Sequence, residues 1–138
     1  AVGEVDAVTE AALLSLSMAK KRRYVVVPDS LHPEYRGVLQ TYLQNLDAEL
    51  RTVPTRDGVV DIDKLAGTLD QETACLIVQN PNFFGCVEDL KVLGSLAHDV
   101  GASFVVSVDP ISLGILRRPG DCGADIVVAE ASIKTKLQ

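Results

Sequence analysis

The apolar positions of this chain form two patterns that alternate along its length. Short continuous runs, rich in β-branched residues, are typical of strands that are buried on both faces of a sheet. Longer stretches carry apolar side chains at spacings of three and four residues, which is typical of helices with one buried stripe. The continuous runs predict strands at Tyr24–Val27, Ala74–Gln79, Ser103–Val108 and Ile126–Val128, and Glu49–Val53 is predicted to be a short second strand in chain order.

Local signals place the helices between these strands. Pro33 suits the first position of a helix, where its missing N–H has no partner to lose. Asp61 can cap a short helix, and Gly101 suits the position after the end of another. Asp57 and Gly58 predict a turn. The predicted helices cover residues 5–18, 33–45, 61–69 and 87–100.

The alternation of strand and helix indicates the fold class. Strands that are near-continuous apolar runs are buried on both faces, which requires helices on both sides of the sheet, and right-handed crossovers between them make the sheet mostly parallel. The sequence therefore predicts an α/β protein, a three-layer α/β/α sandwich. Residues 1–138 are expected to form a single α/β domain, because no internal repeat, linker or low-complexity stretch interrupts them.

Composition and charge exclude several classes of function. The net charge of −6 argues against nucleic acid or an anionic membrane as a main partner, since both require a basic face. No apolar run reaches the roughly 20 residues that a membrane span needs. The three cysteines are odd in number and match no C-x-x-C spacing, so reduced thiols and a cytoplasmic location are expected. The chain has no initiator methionine, and we expect it to be a fragment of a longer protein.

The stretch QNPNFFGCVEDL, residues 79–90, connects a predicted strand to a predicted helix. Pro81 cannot continue a central strand, and Asn80 and Asn82 favour turns. Such loops lie at the carboxyl ends of parallel strands, where open α/β proteins bind their ligands. Phe83 and Phe84 are expected to pack into the core beneath this loop.

Polar residues follow the other strands as well, and Asp109 is the strongest candidate for a ligand-binding residue among them. It comes directly after an apolar strand, where a carboxylate suits a cationic partner such as a metal, a protonated ring nitrogen or an arginine. The alternative is an aspartate that caps the following turn. His32, beside Pro33, is typical of a helix cap or surface residue, and His98 is expected to face solvent at a helix end. Neither histidine has a second ligand at zinc spacing.

The basic run at residues 20–23 follows the first predicted helix. Its position complements the negative end of the helix dipole, so we interpret it as a solvated helix end. A patch for phosphate or nucleic acid is the alternative. The sequence contains no G-x-G-x-x-G, no P-loop and no G-x-S-x-G, so the main support for dinucleotide, P-loop and hydrolase functions is missing.

Three longer stretches resemble one known family. They are LHPEYRGVLQTYL at 31–43, VQNPNFFGCVEDL at 78–90 and VDPISLGILRRPGDCGADIVVAE at 108–130. In this order they resemble the first subunit, or N-terminal half, of glycine dehydrogenase (decarboxylating), the P-protein of the glycine cleavage system. The resemblance covers nearly the whole chain. It implies a central fragment of the large domain of a fold-type-I pyridoxal-phosphate enzyme, similar to aminotransferases and cysteine desulfurases.

The resemblance also implies a cofactor, partners and site residues. The family uses pyridoxal phosphate to decarboxylate glycine and passes the aminomethyl group to the lipoyl arm of the H-protein. Its full-length members are expected to be oligomers that contain a second P-protein subunit. Asp109 matches the aspartate that pairs with the pyridine nitrogen, His32 matches the residue that stacks on the ring, and Asn80 lies in the loop that borders the cofactor.

Two departures from the family suggest that this chain alone is catalytically inactive. The lysine that binds the cofactor belongs to the second subunit, and Lys134 is displaced by one residue from the position that active relatives use. Where the family has DGAT, this chain has Asp6-Ala7-Val8-Thr9, which lacks the glycine that allows close approach to a phosphate. The alternatives are another fold-type-I enzyme (a lyase, desulfurase or aminotransferase) that uses Lys134, or a non-catalytic scaffold that contacts a partner subunit.

Overall fold

The computed structural model describes residues 2–19, 21–108 and 123–129, and within them it has four helices and seven strands. In this part of the chain, no helix is both long and apolar enough to cross a bilayer. The helices are α1 Val2–Met18, α2 Pro33–Leu43, α3 Ile62–Thr68 and α4 Leu90–Asp99. The strands are β1 Tyr24–Pro28, β2 Glu49–Val53, β3 Thr55–Arg56, β4 Val59–Val60, β5 Thr73–Asn80, β6 Ser103–Val108 and β7 Ile126–Ala129.

Five of these strands form one parallel sheet in the order β2-β1-β5-β6-β7. The first, third and fourth predicted strands, which are β1, β5 and β6, are therefore neighbours. The short strands β3 and β4 form a separate antiparallel hairpin. Its turn is the predicted one, with positive φ of 54° at Asp57 and 86° at Gly58.

Helices cover both faces of the sheet. Alternate residues of its strands point to opposite faces, so they pack into two separate apolar layers between the sheet and the helices. One layer contains α1 and α2, with Leu39 of α2 packed in the same cluster as Ile77 of β5. The other contains α3 and α4, with Leu93 of α4 in the same cluster as Phe104 of β6. The prediction of an α/β sandwich with a mostly parallel sheet is thus confirmed.

The connection from β5 to α4 is longer than the sequence predicted. The strand continues to Asn80 rather than Gln79, and the helix begins at Leu90 rather than Val87. Asp89 caps the helix, because its side chain accepts a hydrogen bond from the Val92 N–H at 3.3 Å. The helix therefore starts at the cap, and the residues before it remain part of the loop.

Arg22 has a structural role that the interpretation of residues 20–23 as a solvated helix end did not anticipate. Its Nη1 donates to the backbone oxygen of Thr73 at 3.0 Å and to that of Val100 at 2.7 Å. Gly101, at a φ of +82°, leaves room for this guanidinium: a Cβ on it would lie 2.6 Å from Arg22 Nη2. Arg22 thus links the start of β5 to the end of α4.

Replacing Arg22 by methionine is expected to lower the free energy of unfolding by about 2 kcal/mol, since two carbonyls lose a charged donor. Methionine preserves most of the apolar length of the side chain. The matched control is Lys21→Met on the exposed neighbouring residue, for which a change within about 0.5 kcal/mol is expected. Urea denaturation followed by circular dichroism measures both, and equal effects of the two variants would contradict the role of Arg22.

Candidate functional site

The carboxyl ends of β1, β5 and β6 lie side by side at one edge of the sheet. Asn80, the last residue of β5, pairs in register with Val108, the last residue of β6. The loop after β1 is held at the same edge, because the Asp29 N–H donates to the carbonyl of Val53 in β2 at 2.8 Å. Asp109 follows Val108 in the sequence but lies outside the described residues.

His32 connects the β1–α2 loop to the end of β5. It is the N-cap of α2, where its Nδ1 accepts a hydrogen bond from the Glu34 N–H at 3.1 Å. Its own backbone N–H donates to Gln79 Oε1 at 2.9 Å. Since Gln79 directly precedes Asn80, the structure places His32 beside the end of the strand that carries Asn80.

The imidazole of His32 belongs to a small aromatic cluster. Its ring centroid lies 5.0 Å from that of Tyr35 and 5.1 Å from that of Phe83, with an interplanar angle of 72° to Phe83. Phe84 adds an edge contact to Phe83 at 6.0 Å. Such distances are typical of aromatic pairs. The cluster places aromatic rings, inclined to one another, next to His32 at this edge of the sheet. We call the residues at this edge, His32, Asn80 and Phe83 among them, the rim.

The expectation that Phe83 and Phe84 pack into the core is wrong. They are 49% and 54% exposed. The backbone explains the difference, because the Phe83 N–H donates to the Ser30 carbonyl at 2.8 Å and the Phe84 N–H donates to Asn82 Oδ1 at 3.0 Å. These bonds fix the loop so that the buried members are polar and the phenylalanines are on its surface.

The side-chain oxygen of Asn80 forms a hydrogen bond within this loop. The side chain is 5% exposed, and its Oδ1 accepts a hydrogen bond from the Glu88 N–H at 2.9 Å. Glu88 is equally buried, and its carboxylate contacts Val60, Asn82 and Ser30. Sequence reasoning missed Glu88, because an acidic residue just before a capping aspartate looks like an ordinary helix start.

Asp29 offers an unused acceptor at the same edge. Its Oδ1 is buried and has no hydrogen-bond partner within the described part of the chain. A buried polar atom without a partner is uncommon, because it loses its hydration without compensation. It marks a position where a donor from a ligand, or from residues beyond those described, can bind.

His98 lies at a different place in the fold. Its Nε2 is 2.7 Å from Asp125 Oδ2, which also accepts a hydrogen bond from the Phe104 N–H at 2.7 Å. Asp125 precedes β7, and Phe104 is near the start of β6, so this pair is at the amino edge of the sheet. The half-exposed His98 side chain agrees with the expected position near solvent. Among the residues that the structure describes, no group of histidine, cysteine and acidic side chains could hold a metal.

An apolar groove of about 500 Å³ runs between α1 and the edge strand β7. Ala11 and Leu14 line it from the helix, and Val127 and Ala129 line it from the strand. Leu14 and Val127 are 49% and 44% exposed. Exposed apolar side chains on two adjoining elements are typical of a surface that packs against another part of a protein.

The chain is similar to members of one known family over nearly all of its length. The family model described as glycine cleavage system P-protein matches residues 2–133. A probable glycine dehydrogenase (decarboxylating) subunit 1 from Desulforamulus reducens is 47% identical over 125 residues, which are 91% of this chain and 28% of the relative. A relative of the same name from Lysinibacillus sphaericus is 44% identical over 92% of this chain and 28% of its own length.

A solved structure of a P-protein is also similar to this chain. The crystal structure of glycine decarboxylase (P-protein) of the glycine cleavage system, in inhibitor-bound form, superposes with a TM-score of 0.85 at 41% identity. The match covers 93% of this chain and 28% of the solved chain. This chain therefore spans a little over a quarter of the length of these relatives, and on this evidence it belongs to the glycine cleavage system P-protein family.

Proposed function

We propose that this chain is part of subunit 1 of a glycine dehydrogenase (decarboxylating). In this proposal, the complete protein decarboxylates glycine with pyridoxal phosphate and passes the aminomethyl group to the lipoyl arm of the H-protein. The observation that carries it is the likeness to glycine decarboxylase over 93% of the chain at 41% identity. A second P-protein subunit is part of the proposal, because the curated relatives are named as subunit 1.

Two features of the rim fit pyridoxal phosphate, which is a planar aromatic group with polar substituents. His32 presents an imidazole that already packs with aromatic rings, and Asp29 holds a buried acceptor without a partner among the described residues. When bound, the cofactor supplies an electron sink for the decarboxylation. The proposed role of His32 is to hold the planar ring by stacking, and that of Asp29 is to accept a hydrogen bond from a polar group.

Asn80 and Asp109 complete the proposed cofactor site. Asn80 ends β5 beside His32, and its oxygen orders the bordering loop by accepting the Glu88 N–H. Asp109 directly follows Val108, the residue that pairs with Asn80. A carboxylate at this point of the sequence is proposed to pair with the pyridine nitrogen, which stays protonated when an acceptor is next to it.

A structural contribution to the assembly is the second candidate function. The observation that favours it is the apolar groove between α1 and β7, which exposes Leu14 and Val127. In this alternative, the chain buries apolar surface against another part of its protein and leaves catalysis to the second subunit. It predicts that removing His32 has no effect on cofactor binding.

The experiment that tests the cofactor site uses the full-length protein that carries this chain, assembled with its second subunit. His32→Ala is expected to raise the dissociation constant of pyridoxal phosphate about tenfold, which corresponds to the loss of one aromatic stacking contact. His32→Phe, which keeps a planar ring, is expected to restore most of the affinity. Absorbance of the bound cofactor measures the affinity, and Glu34→Ala, the exposed neighbour in the first turn of α2, is the matched control.

The activity is tested in the same preparation by the exchange of the glycine carboxyl group with bicarbonate in the presence of H-protein. We expect exchange from the assembled protein and none above background from the 138-residue chain alone. Exchange by the isolated chain would show that the second subunit is not needed. Absence of exchange from the assembled wild-type protein would refute the proposed function itself.

A further inference from the structure

We propose that Glu88 is a positioning residue for the cofactor rim: it fixes the loop that holds Phe83 against the His32 ring. The importance of His32 for the cofactor rests on the function proposed above. The link from Glu88 to His32 stands on contacts between described residues and is tested separately below.

The carboxylate of Glu88 joins three loops. Its Oε1 accepts a hydrogen bond from the Val60 N–H of the β3–β4 hairpin at 3.1 Å. Its Oε2 accepts one from Asn82 Nδ2 at 2.8 Å and a longer one from Ser30 Oγ at 3.4 Å. All three partners are donors, which is the set that an acceptor-only carboxylate satisfies. With 5% exposure, Glu88 exchanges little of this set with water.

Asn82 carries the constraint from Glu88 into the loop. Its Nδ2 also donates to the carbonyl of Gly58 at 2.7 Å. The hairpin is therefore bound to the loop at two points, through Gly58 by Asn82 and through Val60 by Glu88. Its Oδ1 accepts hydrogen bonds from the N–H groups of Phe84 and Cys86, both at 3.0 Å. The orientation of one amide group therefore sets the path of the chain around the two phenylalanines.

Phe83 is the last link to His32. Its N–H donates to the Ser30 carbonyl at 2.8 Å, and its ring meets the imidazole edge-on at 5.1 Å. Because the Phe83 side chain is 49% exposed, core packing contributes little to its placement. The hydrogen bonds of the loop place it instead, and those bonds depend on Asn82 and Glu88.

Glu88→Gln tests this link because glutamine has the same shape but presents an N–H₂ group to at least one of the donors. The measurement is the proton NMR spectrum of the histidine rings of the 138-residue chain, which contains two histidines. In the wild type, ring currents from Phe83 shift the His32 protons, and Phe83→Leu removes that contribution. Glu88→Gln is expected to move the His32 resonances toward their Phe83→Leu positions and to leave those of His98 unchanged.

Asp89→Asn is the matched control, since the neighbouring acid caps α4 and is exposed. It is expected to leave the His32 resonances at their wild-type positions. Unchanged His32 resonances in a folded Glu88→Gln protein would overturn the proposed link. If Glu88→Gln does not fold, Phe83→Leu tests the last contact, and unmoved His32 resonances in that variant would overturn it equally.

The consequence for the cofactor is measured in the full-length assembled protein with pyridoxal phosphate. Glu88→Gln is expected to weaken binding several-fold, by the same factor as Phe83→Leu, and Asp89→Asn is expected to leave it unchanged. Wild-type affinity in Glu88→Gln, together with moved His32 resonances, would overturn the positioning role. If the wild-type assembly binds no pyridoxal phosphate while the resonances move as expected, the proposed function fails and the link between Glu88 and His32 remains.

Discussion

Replacing Glu88 by alanine is expected to lower the free energy of unfolding by about 3 kcal/mol, although the residue lies in a loop. The Val60 N–H loses its side-chain acceptor, and so does one N–H of Asn82. A buried donor left without an acceptor costs on the order of 1–3 kcal/mol. The truncation also leaves a cavity where the side chain was, because Glu88 is only 5% exposed.

Equilibrium denaturation in urea of the wild type and two variants measures this effect. Glu88→Gln keeps the volume and part of the hydrogen bonding, so its loss is expected to be smaller than that of Glu88→Ala. Glu34→Ala removes an exposed carboxylate of the same type and is expected to cost less than about 1 kcal/mol. A loss for Glu88→Ala no larger than that for Glu34→Ala would show that the buried network contributes nothing to stability.

Much of the fold could be predicted because its central strands, β1, β5 and β6, are buried on both faces. The apolar run of β6 marked that strand at the bounds that the structure has, Ser103–Val108, and the predicted bounds of the mixed edge strand β2, Glu49–Val53, are also those observed. The start of α4 was misplaced by three residues for a local reason. Val87 and Glu88 fit a helical pattern in sequence, but Glu88 donates its N–H to Asn80 and is thereby held in the loop.

Only part of the candidate site could be predicted from the sequence. Parallel topology placed His32 and Asn80 at the same edge of the sheet, since both follow strands of one alternating pattern. The network around Glu88 could not be predicted, because its partners come from the β1–α2 loop, the β3–β4 hairpin and the β5–α4 loop. The exposure of Phe83 and Phe84 depends on the same network, so the apolar character of these residues pointed to the wrong environment.

Raising the pH above about 9 is expected to lower the free energy of unfolding by several kcal/mol, because the buried thiol of Cys75 resists losing its proton. The thiol is fully buried in the layer between the sheet and helices α1 and α2. Burial raises its pKa from 9.0 to about 12, and a hydrogen bond with Ser15 offsets part of that rise. In the unfolded chain the thiol loses its proton near pH 9.0, whereas in the folded chain it keeps the proton until about pH 12.

The sign of the effect follows from this order of the two pKa values. The unfolded state binds fewer protons between pH 9 and 12, so the contribution of Cys75 to stability is complete below pH 9 and decreases above it. Each pH unit in this window corresponds to about 1.4 kcal/mol, which gives roughly 4 kcal/mol over three units as an upper bound. Lysines and tyrosines also titrate in this range, so the effect of Cys75 has to be separated from theirs.

Cys75→Ala separates it, because alanine has no proton to lose and its packing cost does not depend on pH. The free energies of unfolding of wild type and variant are compared in urea from pH 7 to pH 11, with a reductant present. Their difference is expected to be constant up to about pH 8 and then to shift in favour of the variant, by about 3 kcal/mol at pH 11. A difference that stays constant across the whole range would show that the Cys75 thiol has the same pKa in both states, and therefore that its buried environment does not penalise the thiolate.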